Sequence, residues 1–120
     1  MNMVSVSEAF DLARSGRKEA ASDALKQEFQ RLQSPDQKVE LCEWIASCFE
    51  NLRDYEQAAE WYELAGALSL SETGSPLSNA LMALKEYERA LACRERGDDE
   101  ESLEACISVI RDLRRAYSAA

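Results

Sequence analysis

The stretch Asn51-Leu-Arg-Asp-Tyr-Glu-Gln-Ala-Ala-Glu-Trp-Tyr-Glu-Leu-Ala65 decides how this chain folds. It reads as the end of one helix, a tight turn at Arg53 and Asp54, and the start of a second helix. Asp54 and Gln57 have capping-box spacing, in which the short side-chain oxygen accepts from the N3 amide and the N3 side chain reaches back. Beyond the turn, Ala58, Ala59, Tyr62 and Ala65 recur at helical spacing and share one face. Small side chains on that face let a neighbouring helix approach closely, and the aromatic fills the space left beside them.

The same grammar extends outward in both directions. Ser5-Val-Ser-Glu8, Ser34-Pro-Asp-Gln37 and Asp98-Asp-Glu-Glu101 are further capping-box patterns. Pro35 and Pro76 each follow a serine and suit the first helical position, where the missing N–H costs nothing. Gly16 and Gly97 are read as the residues that close tight turns. Between these signals lie apolar stripes: Val6, Ala9, Phe10 and Ala13; Ala21, Ala24, Leu25, Phe29 and Leu32; Val39, Cys42, Ile45, Ala46 and Phe49. Beyond the fourth stripe come Ala80, Leu84, Tyr87 and Leu91, then Leu103, Cys106, Ile110, Leu113 and Tyr117. Six helices follow, paired as hairpins over about 5–33, 34–70 and 76–118 of one 120-residue domain. Only 4 Gly and 2 Pro interrupt the chain, and helix formers dominate its composition, which makes the fold class all-α.

Turns near Gly16, Arg53 and Gly97 recur at intervals of 37 and 44 residues, a loose internal repeat. Residues 39 to 72 resemble a tetratricopeptide repeat: Ile45 stands at the first-helix Leu, Ala46 at the small residue after it and Phe49 at the aromatic. Ala58, Tyr62 and Ala65 match the second-helix Ala, aromatic and Ala. The chain departs from the pattern at Cys42, where Trp is frequent, at Arg53, where Gly is common, and at Leu70, near the usual Pro. The flanking hairpins match less closely, with Glu8 and Arg89 at the Leu position. The resemblance implies about six antiparallel helices as three stacked hairpins, forming a short right-handed superhelix with first helices along a concave face. Helix six, with Arg111, Asp112, Arg114 and Arg115 opposite its apolar stripe, suits a terminal cap.

Charge narrows the choice of partner. Of the net −9, residues 35 to 72 carry −7, with nine acids against Lys38 and Arg53. A nucleic-acid or anionic-membrane binder needs basic residues to displace counterions, so neither partner is expected. No run of apolar residues is long enough for a membrane span and no secretory leader pattern opens the chain, which points to the cytoplasm. There the four cysteines, Cys42, Cys48, Cys93 and Cys106, are expected as reduced, small core residues.

Catalysis and cofactors are not expected. The chain has no histidine, and it shows no phosphate-binding glycine loop, nucleophile elbow or paired-cysteine zinc pattern. Cys42 and Cys48 lie six residues apart, about 240° around a helix, and cannot chelate one ion together. Asp98 to Glu101 complement the dipole of a helix start. A non-enzymatic scaffold for another protein or peptide is the expected role. By resemblance, the groove-facing residues of the middle hairpin are Glu40, Glu43, Ser47, Glu50 and Asn51, an acidic strip without the cations that some family members use to clamp a carboxylate. The third hairpin adds Leu84, Tyr87, Leu91 and Arg94 to the groove, unless Tyr87 and Leu91 belong to the core. Such a groove suits a basic or amphipathic peptide or helix. Trp44 lies outside the apolar stripe and is read as packing on a neighbouring hairpin or as part of a contact surface. The alternative role is a small cytoplasmic chaperone or a homodimeric module docking through helix six. Chaperones of bacterial secretion systems share the tetratricopeptide-like fold at this size.

Overall fold

The computed structural model describes residues 6–72 and 74–118 and contains six α-helices, with no strand among the described residues. They are α1 (Val6–Arg14), α2 (Lys18–Arg31), α3 (Pro35–Asn51), α4 (Tyr55–Leu70), α5 (Pro76–Arg96) and α6 (Glu100–Ser118). The chain is all-α, as its composition and periodicity predict.

Each helix packs chiefly on its neighbours in sequence, most extensively α4 on α5 and α3 on α4, and least α2 on α3. Ring contacts skip one helix. Phe10 of α1 meets Phe49 of α3 edge-on at 5.1 Å, and Phe29 of α2 meets Trp61 of α4 at 6.0 Å. The molecule measures 48 × 34 × 18 Å, and its thin dimension holds only two helix diameters. Contacts along α4 and α5 run in opposite directions. Glu72 accepts from Asn79 at their junction, Gly66 lies beside Tyr87 midway, and Tyr55 accepts from Arg96 at the far end.

Helix α4 is the centre of the core. Ala58, Ala59, Trp61, Tyr62, Ala65, Gly66 and Ser69 are all buried, because α3 and α5 cover it from two sides. The buried Ser69 hydroxyl is satisfied by donating to Ala65 O at 2.9 Å. In α3 the buried set is the predicted stripe of Val39, Cys42, Ile45, Ala46 and Phe49.

Helix α5 departs from its predicted stripe. Its buried face holds Asn79, Ala80, Ala83, Glu86, Tyr87, Ala90, Cys93 and Arg94, while Leu84 and Leu91 lie half-buried at the margin. Close approach to α4 favours alanines over leucines at the seam, so the inward face centres on Ala83 and Ala90. At Gly66 a Cβ would lie 2.6 Å from Tyr87 Cε2, so only glycine admits the ring there.

The helix ends keep most of the predicted signals and move others. Asp54 Oδ1 accepts from Gln57 N at 3.3 Å and Ser75 Oγ from Ser78 N at 3.4 Å. Ser34 caps α3 through its carbonyl and without its side chain. The cap of α6 is Asp99 rather than Asp98: its carboxylate accepts from Ser102 N at 3.0 Å and from Ser102 Oγ at 2.7 Å, which lowers its pKa. Ser5, in the first capping pattern, lies outside the described residues. Gly16 has φ +89° and needs glycine, whereas Gly97 is extended and does not. The turn residue in the left-handed region before α4 is Arg53, at φ +61°.

Two substitutions test these backbone constraints. Arg53→Gly relieves a left-handed non-glycine residue and should raise unfolding stability by about 0.5 to 1 kcal/mol. Gly66→Ala gains about 1 kcal/mol of helix propensity, yet the collision with Tyr87 should outweigh it. A net loss of about 1 kcal/mol or more is expected. Urea denaturation followed by circular dichroism reads both changes.

Candidate functional site

On α3, the stripe that faces the core leaves its complement facing water. Glu40, Trp44, Ser47 and Asn51 succeed one another at intervals of four, three and four residues and are all exposed, with Trp44 53% exposed. A large aromatic left in water at the centre of a polar helix face is the type of residue that anchors protein interfaces. Trp61, the other tryptophan, is buried against Phe29.

Glu43 and Glu50 border this face and are engaged within the molecule. Arg89 of α5 donates to Glu43 Oε2 at 3.0 Å and approaches Glu86 Oε1 at 3.7 Å. Glu50 accepts a hydrogen bond from the Tyr62 hydroxyl of α4. Burial and this bond to Glu50 hold the Tyr62 phenol well above its usual pKa. The strip of Glu40, Glu43, Ser47, Glu50 and Asn51 is therefore contiguous on α3, but two of its three acids also tie α3 to α5 and α4.

The α5 candidates lie elsewhere. Tyr87 is buried over Gly66, and Arg94 is 8% exposed with its guanidinium donating to Glu63 at 2.7 Å. Leu91 borders an open cavity of about 280 Å³ with Ile107, Ile110, Arg111 and Arg114. These three residues belong to the α4 and α6 sides of α5, not to the open face of α3.

Sequence reading missed the carboxyl pair between α3 and α5. Glu86 is 4% exposed, shares a hydrogen bond with Glu43, and leaves Oε2 without a partner. Burial first, then the charge and hydrogen bond of Glu43, push its pKa up to about 7 against the opposing pull of Arg89. The available signal was spacing: Ala83, Glu86, Ala90 and Cys93 recur on one helical face. None of the described cavities includes this pair. It is a pair of facing acids, one with a raised pKa, at the α3–α5 contact.

Burial pushes the thiols of Cys42, Cys93 and Cys106 up, to about 12 for Cys42 and about 11 for the other two, and raises Cys48 as well. Among the described residues no group of three or more Cys, Asp or Glu is arranged to hold a metal ion. No helix among them is long and apolar enough to cross a membrane. A turn-end cavity of about 410 Å³ beside Arg14, Lys18, Arg53 and Arg96 also contains Asp54, Glu56 and Asp98 and has no single charge character.

The raised Glu86 sets a direction for pH dependence. Its folded pKa, about 7, lies above the unfolded value of 4.5, so the folded state holds an extra proton between the two. This contribution to stability is complete below the unfolded value and is lost as pH rises through about 7. The urea midpoint should fall between about pH 5 and about pH 8, and Glu86→Gln should flatten that dependence.

Compared with protein-family models, curated proteins and solved structures, the chain has no significant match.

Proposed function

We propose that this chain is a non-enzymatic protein-interaction module that receives a basic or amphipathic peptide or helix on the outward face of α3. The supporting observation is Trp44, 53% exposed between Glu40, Ser47 and Asn51 on a helix whose opposite face lies in the core. An amphipathic helix would lay its apolar side on the indole and direct Lys or Arg towards Glu40 and the bordering Glu43 and Glu50. The stacked, tetratricopeptide-like arrangement fits the thin two-layer shape and the ring contacts between alternate helices. Placement in the cytoplasm accords with four unpaired cysteines.

The test should avoid Glu43 and Glu50, because substituting either also breaks a tie between helices. Peptides selected by display against the whole chain provide the probe. Trp44→Ala should weaken their binding at least about tenfold. Glu40→Lys should weaken it less and reduce its dependence on salt. Unchanged affinity in both variants, with helicity retained, would reject this face as the binding surface.

A further inference from the structure

Helix α6 covers one side of α5 and leaves part of its own apolar side uncovered. Cys106 and Ile110 are buried, whereas Leu103, Ile107, Leu113 and Tyr117 are only half-buried. Ile107 and Ile110 form one wall of the open 280 Å³ cavity whose other residues are Leu91, Arg111 and Arg114. In a monomer this cavity and the half-covered residues stay in contact with water, an unfavourable arrangement for apolar surface.

The charges on the same helix are sorted by position. Glu100, Glu101 and Glu104 occupy its first half, and Arg111, Arg114 and Arg115 its second half, with Asp112 the only acid there. Glu100, Glu104, Ile107, Arg111 and Arg114 are separated by four, three, four and three residues and therefore form one face. Ile107 is its midpoint. Reversing the direction of the helix about Ile107 exchanges acids for bases. A uniformly basic partner would meet Arg111 and Arg114, and a uniformly acidic one would meet Glu100 and Glu104. The same face turned antiparallel matches at both ends.

We propose that this face of α6 pairs antiparallel with the same face of a second copy of the chain, crossing at Ile107. A two-fold axis there makes the contact isologous, so each complementary pair occurs twice. Glu104 of one copy faces Arg111 of the other, and Glu100 faces Arg114. The two Ile107 side chains meet on the axis and cover the cavities beside Leu91. Antiparallel helices also oppose their dipoles favourably. Within one chain, neither Glu104 nor Arg111 makes an ion pair among the described residues. Arg114 contacts Glu88 at 2.7 Å, but both side chains are at least half exposed, and the guanidinium has further donors to offer. The pairing leaves the α3 face open and does not depend on its role.

Each copy carries a net charge of −9, so long-range repulsion opposes association at low ionic strength. The measurement is therefore made at about 0.15 M salt, where the Debye length is about 8 Å. Sedimentation equilibrium of the whole chain, from micromolar to several hundred micromolar, should give a reversible monomer–dimer transition. Glu104→Arg and Arg111→Glu, both at exposed positions, should each weaken the dimer about tenfold or more. Mixing these two variants should restore association. At one end of the crossing the two substituted side chains then face each other with opposite charge, and at the other end the native Arg111 of the first variant faces the native Glu104 of the second. Circular dichroism melts confirm that each variant is folded. A wild-type chain that stays monomeric throughout, single variants that dimerise like wild type, or a mixture that fails to associate would each overturn the proposal.

Discussion

The absence of a side chain at Gly66 sets the distance between α4 and α5. Tyr87 occupies the space where a Cβ would stand, and Ala80, Ala83 and Ala90 keep the rest of the α5 seam thin. At that separation Arg94 reaches Glu63 and Arg96 reaches the Tyr55 hydroxyl, so polar contacts fasten helices already held together by small residues. Helix α4 then presents Tyr62 to Glu50 of α3, and the α3–α5 pair closes over it through Glu43, Glu86 and Arg89. The outward face of α3 follows from this arrangement. With its inward side committed to α4 and its borders tied to two helices, the remaining side chains have only solvent to meet.

Much of this is legible from spacing. The stripe on α3 and the alanines of α4 follow from residues that recur every three or four positions, and the face of Glu40, Trp44, Ser47 and Asn51 is their geometric complement. The reading of α5 fails for a physical reason. Leucines outweigh alanines in hydrophobicity, so Leu84 and Leu91 draw the stripe towards themselves, whereas a close helix crossing rewards the smaller residue. Spacing with Ala83, Ala90 and Cys93 places Glu86 on the inward face, but its pairing with Glu43 is beyond local reading, because that partner lies on another helix. The turn before α4 is legible from the Asp54 cap that follows it, but the left-handed backbone at Arg53 is not, because no glycine marks it.

Summed charge is the least reliable guide. Residues 35 to 72 carry −7, which reads as an open acidic surface. In the fold, Glu43, Glu63 and Asp54 are answered by Arg89, Arg94 and Lys18, and Glu50 accepts from Tyr62. These three cations come from outside that segment. Net charge counted along a sequence cannot register compensation between helices, so the potential of the α3 face is milder than its composition suggests. Trp44 and Glu40 are among the exposed side chains of this face that lie outside those pairs.

The 18 Å thickness of the molecule bears on how the chain folds. Two layers built mainly from helices adjacent in sequence require only short loops to close, and each closure costs little chain entropy. The hairpin of α1 and α2 touches α3 sparingly, mostly through bulky side chains such as Phe10. Its remaining ties are side-chain ones, Phe10 and Leu25 in the shared core, Phe29 on Trp61 and Lys18 beside Asp54, so its order depends on packing more than on backbone proximity. In a molecule this thin, loss of those few side chains would detach α1 and α2 first, whereas the binding face proposed on α3 sits on a helix packed extensively against α4.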